Sequence, residues 1–131
     1  MDRLLTRARL PAAALAAVVG LGLALPANAG DPAKGKGVFA AQCSMCHSNT
    51  KGGPTILGPN LYGVVGRKAG SLPGYAYSSG MKAAGFVWTT DQLKIYLPAP
   101  RNTVPGTKMS FAGLKNPTQL DDLVAFLDTL K

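Results

Sequence analysis

The chain has 131 residues, which is too few for more than one domain of ordinary size. It carries 14 Lys and Arg against six Asp and Glu, a formal net charge of +8, and it contains two cysteines and one histidine. A zinc site normally takes four ligands from Cys, His, Asp or Glu. With at most three thiol or imidazole ligands, the composition argues against a zinc-binding protein.

The first 29 residues predict a secretory signal peptide. Arginines in the first ten residues precede an apolar run at 11–25. Small residues in Ala27-Asn28-Ala29 occupy the positions that a signal peptidase reads, so we expect cleavage after Ala29. The alternative is an uncleaved membrane anchor, although this run is shorter than the roughly twenty residues that span a bilayer. We expect a single soluble domain over 30–131 in the periplasm, with a formal charge of +6 and no stable membrane insertion.

The domain is predicted to begin with a helix that leads into the cysteines. Asp31 is a good N-cap and Pro32 a good first helical residue. Gly35 and Gly37 lie inside the helical pattern, where each costs about 1 kcal/mol relative to Ala. Either another helix approaches closely at one of these glycines, or the first turn is frayed.

The segment Cys43-Ser44-Met45-Cys46-His47 has the spacing of a c-type haem attachment site. Two thiols three positions apart on a helical turn can each form a thioether to one vinyl group of the porphyrin. The adjacent histidine, in its neutral form, can then bind the iron. One alternative is a structural disulfide between Cys43 and Cys46, which would leave His47 unexplained. The other is a thiol–disulfide exchange site, which is normally found in a βαβ setting.

The remainder of the chain predicts short helices and long loops. Residues 48–74 contain ten glycines and prolines, so we expect a loop, and wrapping around a prosthetic group would organise it. Short helices are expected from Ser78 to Gly85 and over 91–97, the latter opened by a capping box at Thr89. A second loop covers 100–115. The last helix follows Asn116, with apolar residues at i, i+3, i+4 and i+7. The fold class is therefore all-α, with four to five helices.

A methionine is the remaining good candidate for the second axial ligand of the iron, because no second histidine and no further cysteine exist. Met1 is removed with the signal peptide, and Met45 belongs to the attachment segment itself. Met81 lies in a short helical stretch, where a methionine is commonly a core residue. Met109 ends an irregular loop, so we favour Met109 as the ligand and keep Met81 as the alternative.

Several motifs, in this order and spacing, resemble the small soluble class I cytochromes c of the mitochondrial and alphaproteobacterial type. The resemblance covers essentially all of residues 30–131 and implies the cytochrome c fold around one covalent haem. The segments that carry it are Cys43-Ser44-Met45-Cys46-His47, Gly58-Pro59-Asn60-Leu61-Tyr62-Gly63, Gly66-Arg67-Lys68-Ala69-Gly70, Trp88 and Pro105-Gly106-Thr107-Lys108-Met109.

The resemblance implies a role for each matching residue. Cys43 and Cys46 would attach one haem c, with His47 and Met109 as axial ligands. The carbonyl of Pro59 would accept a hydrogen bond from the other ring nitrogen of His47. The residues implied to hydrogen-bond or neutralise the propionates are Arg67, Tyr77, Trp88 and Thr107. By spacing alone, ordinary core packing would explain Tyr77 and Trp88 equally well.

Further positions match aromatic and helix contacts of the family. Tyr96 would lie beside the methionine sulfur and Phe111 at the haem edge. The first-helix residues Gly35 and Phe39 would contact two residues of the last helix, Leu123 and Phe126.

The sequence departs from these relatives in two respects. Met81 stands where many of them have an asparagine near a buried water. The lysine ring around the haem edge is thinner, since Gln42, Leu57, Asn102 and Asn116 take places in it. Partner choice is therefore expected to differ from that of mitochondrial relatives.

The resemblance implies a monomeric periplasmic electron carrier with one haem, and not an enzyme. Its partners would be redox proteins with acidic docking surfaces. A bc1-type complex is expected as donor, and an oxidase, a photosynthetic reaction centre or a periplasmic reductase as acceptor. No nucleic-acid partner is expected. The alternative function is a haem enzyme or ligand sensor with a labile sixth ligand.

Overall fold

A computed structural model describes residues 29–131, and within them the architecture is all-α, as predicted. The predicted signal peptide lies outside the described residues except for Ala29. Two isolated bridges, His47 with Thr55 and Lys68 with Val87, are the β-type pairings of this region. No helix within 29–131 is long and apolar enough to cross a membrane. The helices are α1 (Pro32–Gln42), α2 (Ser79–Ala83), α3 (Thr90–Tyr96), α4 (Pro100–Thr103) and α5 (Pro117–Asp128).

The two longest helices begin where their capping residues predict. The Asp31 carboxylate accepts a hydrogen bond of 2.9 Å from the Ala33 amide, and Pro32 is the first helical residue. The Asn116 side chain accepts one of 3.1 Å from the Gln119 amide, and a proline again follows. A proline at the first position loses no helical hydrogen bond, because that amide has no partner inside the helix.

Side-chain caps also begin the short helices α2 and α3. The Ser78 hydroxyl accepts a hydrogen bond of 3.1 Å from the Met81 amide, and the Thr89 hydroxyl one of 3.0 Å from the Gln92 amide. Such caps typically contribute about 1 kcal/mol each. Helix α3 begins at Thr90, one residue before the predicted start.

The prediction of a continuous loop over 100–115 was wrong at its start. Residues Pro100–Thr103 form the single turn α4, which begins with a proline and has no side-chain cap. Its Pro100 side chain is fully buried. A four-residue turn is too short to show a helical period, and the tertiary packing of Pro100 stabilises it. The rest of this segment is loop, as predicted.

Helices α1 and α5 cross at Gly35. A Cβ atom at this position would overlap the backbone carbonyl of Asp122, whereas one at Gly37 would meet nothing within 4 Å. The rings of Phe39 and Phe126 pack beside this crossing with centroids 5.6 Å apart. Close helix approach therefore explains Gly35, and the frayed first turn was the wrong alternative.

Long-range backbone hydrogen bonds organise the loop over 48–74. The Gly58 amide donates to the Cys46 carbonyl at 2.8 Å, and the Gly66 amide donates to the Trp88 carbonyl at 2.8 Å. The Gly63 amide reaches the Leu130 carbonyl, just beyond α5, at 2.7 Å. These bonds satisfy backbone groups that a helix or strand would otherwise pair, and they place the loop around the site described next.

Candidate functional site

A cavity of about 450 Å³ lies between the attachment segment, the loops and α3 and α5. Its size is within the range of cofactor pockets. Apolar side chains from distant parts of the chain line it, among them Val64, Leu93, Leu123 and Leu127. All ten residues predicted as site residues line this one cavity: Cys43, Cys46, His47, Pro59, Arg67, Tyr77, Trp88, Tyr96, Thr107 and Met109.

The cysteines lie on the tight turn that follows α1. The amides of Cys46 and His47 both donate to the Cys43 carbonyl at 3.0 Å, so both thiols and the imidazole share one turn. Both thiols are free and half-buried. Burial is the main reason that the pKa of the Cys43 thiol is raised from 9.0 to about 11. The neighbouring Cys46 thiol makes a smaller contribution in the same direction. A thiol that stays protonated is a poor nucleophile, which argues against thiol–disulfide exchange.

The His47 ring is held in one orientation. Its Nδ1 lies 2.7 Å from the carbonyl oxygen of Pro59, which can only accept, so Nδ1 carries the proton and Nε2 keeps a free lone pair. Burial lowers the pKa of His47, and the Arg67 charge lowers it further, against the opposing effect of the Pro59 hydrogen bond. The ring is therefore neutral near pH 7, as a metal ligand must be.

Gly58 is a site residue whose role the sequence did not reveal. A Cβ atom at Gly58 would overlap the imidazole ring of His47. The backbone at Gly58 therefore packs directly against the ring. The Gly-Pro pair was visible in the sequence, but its distance from His47 depends on how the loop folds back.

Two methionines reach the cavity. The Met109 sulfur lies 4.0 Å from the Tyr96 hydroxyl, which in turn lies 3.4 Å from the Thr107 hydroxyl. Met81 projects from α2 and is 9% exposed. The Met109 thioether thus lies beside a polar hydroxyl at the edge of the apolar cluster, whereas Met81 is one of the buried members of that cluster.

The comparisons with known proteins agree with this arrangement. The family model described as cytochrome c matches residues 32–131. The chain belongs to the cytochrome c family. It is 50% identical over 98 residues to cytochrome c of Theileria annulata, which covers 75% of this chain and 84% of that protein. It is 47% identical over 102 residues to cytochrome c2 of Rhodopila globiformis, which covers 78% of this chain and 95% of that protein.

A second cytochrome c2, from Agrobacterium tumefaciens (strain II Chrys), is 46% identical over 101 residues, which covers 75% of this chain and 90% of that protein. The predicted resemblance to the class I cytochromes c is thereby confirmed. Cytochromes c are electron carriers that hold haem c covalently, and the Cys43-to-His47 segment has the required attachment spacing.

The positive charge of Arg67 is complementary to the two carboxylates that haem carries. This half-buried guanidinium donates to the carbonyls of Asn60 at 2.9 Å and Tyr62 at 3.3 Å. The ion pairs found among residues 29–131 are Lys94 with Asp121 and Lys131 with Asp128, and neither involves Arg67. A cation on the wall of an apolar cavity can stabilise a carboxylate that enters it.

The remaining predicted donors lie on the same cavity. The Tyr77 hydroxyl accepts a hydrogen bond of 3.2 Å from the Leu72 amide, which leaves its own proton free to donate. Trp88 is buried, with its ring 4.7 Å from that of Phe86 and 4.8 Å from that of Tyr96. Packing fixes the indole, and its N–H can then serve as a preformed donor.

Proposed function

We propose that this cytochrome c domain is a one-electron carrier. In it, Cys43 and Cys46 attach one haem, and His47 and Met109 are the axial ligands. The observation that carries the proposal is the neutral His47, locked by Pro59, on the same apolar cavity as two free thiols and the Met109 thioether. Bound haem would supply a one-electron ferric/ferrous couple.

The residues that line the cavity are proposed to act by orienting the two iron ligands and by donating hydrogen bonds to the haem carboxylates. Pro59 orients His47 and sets its tautomer, while the Tyr96 hydroxyl, next to that of Thr107, lies beside the Met109 thioether. Arg67, Tyr77 and Trp88 would serve as donors for carboxylates in the cavity. With His47 and Met109 both holding the iron, no coordination position would be open for a substrate. The domain is therefore proposed to be a carrier and not an enzyme.

We propose that the partners are redox proteins with acidic docking surfaces. The formal charge of +6 over residues 30–131 supports this, since opposite charges speed encounter more than they tighten binding. Two exposed residues at the cavity differ in charge: Lys108 contributes a positive charge, whereas Leu57, which is 73% exposed, contributes none. A bc1-type donor and an oxidase, a reaction centre or a periplasmic reductase as acceptor are the proposed partners of a monomer.

We also propose that residues 1–29 are removed on export and that the domain acts in the periplasm. The arginines, the apolar run and the small residues before Gly30 support this proposal.

The carrier function is tested on the purified exported protein by its mass, a redox titration and carbon monoxide binding. The mass should exceed that of residues 30–131 by one haem, and a redox titration should show a single one-electron step. Carbon monoxide should bind the ferrous form slowly, because Met109 must first dissociate. Rapid binding of carbon monoxide together with efficient peroxide turnover would instead favour the haem enzyme or sensor. Free thiols without added mass would refute attachment.

A further inference from the structure

The residue that follows the proposed cleavage point is packed against α5. A Cβ atom at Gly30 would overlap the backbone carbonyl of Asp121 and come within 2.6 Å of the Asp122 amide nitrogen. The next amide, that of Asp31, donates a hydrogen bond of 2.7 Å to the Asp122 carboxylate. The chain therefore enters α1 in direct contact with the backbone and a side chain of α5.

The Asp122 carboxylate is buried without a cation among the residues that the structure describes. The side chain is 7% exposed. The hydrogen bond found for it within residues 29–131 comes from the Asp31 amide, and both ion pairs of this region involve other aspartates. Buried carboxylates in proteins are normally paired. Asp122 is thus a buried carboxyl group beside the place where the mature chain is proposed to begin.

We propose that Gly30 becomes the N-terminal residue and that its α-ammonium pairs with Asp122, so that export processing adds a link between α1 and α5. Hydrolysis of the Ala29–Gly30 bond by a signal peptidase consumes one water and leaves a carboxylate on Ala29 and an amine on Gly30. That amine takes up a proton near pH 7, since a free α-amino group has a pKa of about 7.7–8.0. This inference rests on the cleavage proposed above and is independent of electron transfer.

Covalent geometry places the amine within reach of Asp122. The Gly30 nitrogen is separated from the Asp31 amide nitrogen by three covalent bonds, which span at most about 4 Å. The Asp31 amide nitrogen in turn lies 2.7 Å from the Asp122 carboxylate oxygen. Rotation about the backbone bonds of a terminal glycine can bring the ammonium closer. A positive charge at the start of α1 would otherwise be repelled by the positive end of the helix dipole. The Asp122 carboxylate offsets that repulsion.

The test uses haem-loaded protein that begins at Gly30. A site-specific protease produces it from a fusion, so the result does not depend on cleavage in the cell. Half of each protein sample is acetylated at the α-amine of Gly30 by an N-terminal acetyltransferase. Unfolding by denaturant is compared for the unchanged chain, Asp122→Asn and the matched control Asp121→Asn. Acetylation should lower the folding equilibrium constant about fivefold in the unchanged chain and in the control, and less than about twofold in Asp122→Asn. Equal effects in all three proteins would overturn the pairing.

A titration of the unmodified protein covers the case in which Asp122→Asn does not fold. Followed by nuclear magnetic resonance, the pKa of the Gly30 amine should lie above its ordinary range of about 7.7–8.0, and a value within or below that range would overturn the pairing. The charged residues that follow the amine in the chain are Asp31 and Lys34. Those of α5 packed against this segment are Asp121 and Asp122, and Lys94 of α3 pairs with Asp121.

A separate measurement addresses the cleavage. The mass of the exported protein should place its first residue at Gly30. Another first residue would overturn the processing step and leave the electron-carrier proposal untouched.

Discussion

Replacing Met81 and Met109 separately with alanine distinguishes a core residue from an axial ligand. Both side chains line the cavity, but Met81 is 9% exposed and packs in the apolar cluster. Met81→Ala removes three heavy atoms, whose transfer from water accounts for about 2.5 kcal/mol. A residual void adds to this unless the five-residue α2 moves inward. We therefore expect the free energy of unfolding to fall by about 2–4 kcal/mol.

The spectrum should change in Met109→Ala and stay as in the wild type in Met81→Ala. Met109→Ala should lose the sulfur-to-iron absorption of the ferric protein, lower the reduction potential and bind carbon monoxide rapidly in the ferrous form. Met81→Ala should retain all three wild-type properties and differ only in denaturant unfolding, followed by haem absorbance. Met45→Ala is a matched control, because Met45 is 85% exposed and should change neither stability nor spectrum.

The ligand assignment would be refuted if Met81→Ala lost the sulfur signature while Met109→Ala kept it. A loss of less than about 1 kcal/mol in Met81→Ala would refute the packing argument, since a fully buried methionine truncation costs more.

Three further predictions concern the helix crossing, the docking charge and the attachment. Gly35→Ala should lower the free energy of unfolding by about 1–3 kcal/mol through overlap with α5, whereas Gly37→Ala should raise it by up to about 1 kcal/mol; equal effects in denaturant unfolding would contradict the close crossing. Electron-transfer rates with an acidic partner, measured by stopped flow, should fall as ionic strength rises, and a flat dependence would exclude electrostatic steering. Cys43→Ala should keep haem through one thioether and be less stable, while Cys43→Ala with Cys46→Ala should release haem to acid-acetone; covalent haem in the double variant would contradict the attachment.

Local signals predicted the starts of four of the five helices in the described part of the chain to within one residue. The caps at Asp31, Ser78, Thr89 and Asn116 act on amides two or three residues away, so their effect can be read from a few neighbouring residues. Helix α4 was missed because it has one turn and no side-chain cap. Its formation depends on the burial of Pro100 in the folded domain, which no local signal predicts.

In the site, too, some features follow from neighbouring residues and others depend on the tertiary structure. The two thiols and His47 are within five residues, so the attachment chemistry was visible in the sequence. The contact of Gly58 with the imidazole depends on the return of a loop, and no local pattern indicates it. The preference for Met109 over Met81 stays a prediction, because folding brings both to the cavity.

By itself, the sequence determined the cofactor class, the all-α architecture and the start of each capped helix to within one residue, because these depend on residues a few positions apart. The residue pattern by itself left a helix crossing and a frayed turn open at Gly35. The resemblance implied the crossing, and the tertiary structure shows it, because the answer depends on Asp122 at the other end of the domain. The resemblance likewise implied the hydrogen bond between His47 and the Pro59 carbonyl, and the tertiary structure shows the distance that sets the tautomer. Both results depend on distances between segments far apart in the chain, and packing, which no local periodicity encodes, sets those distances.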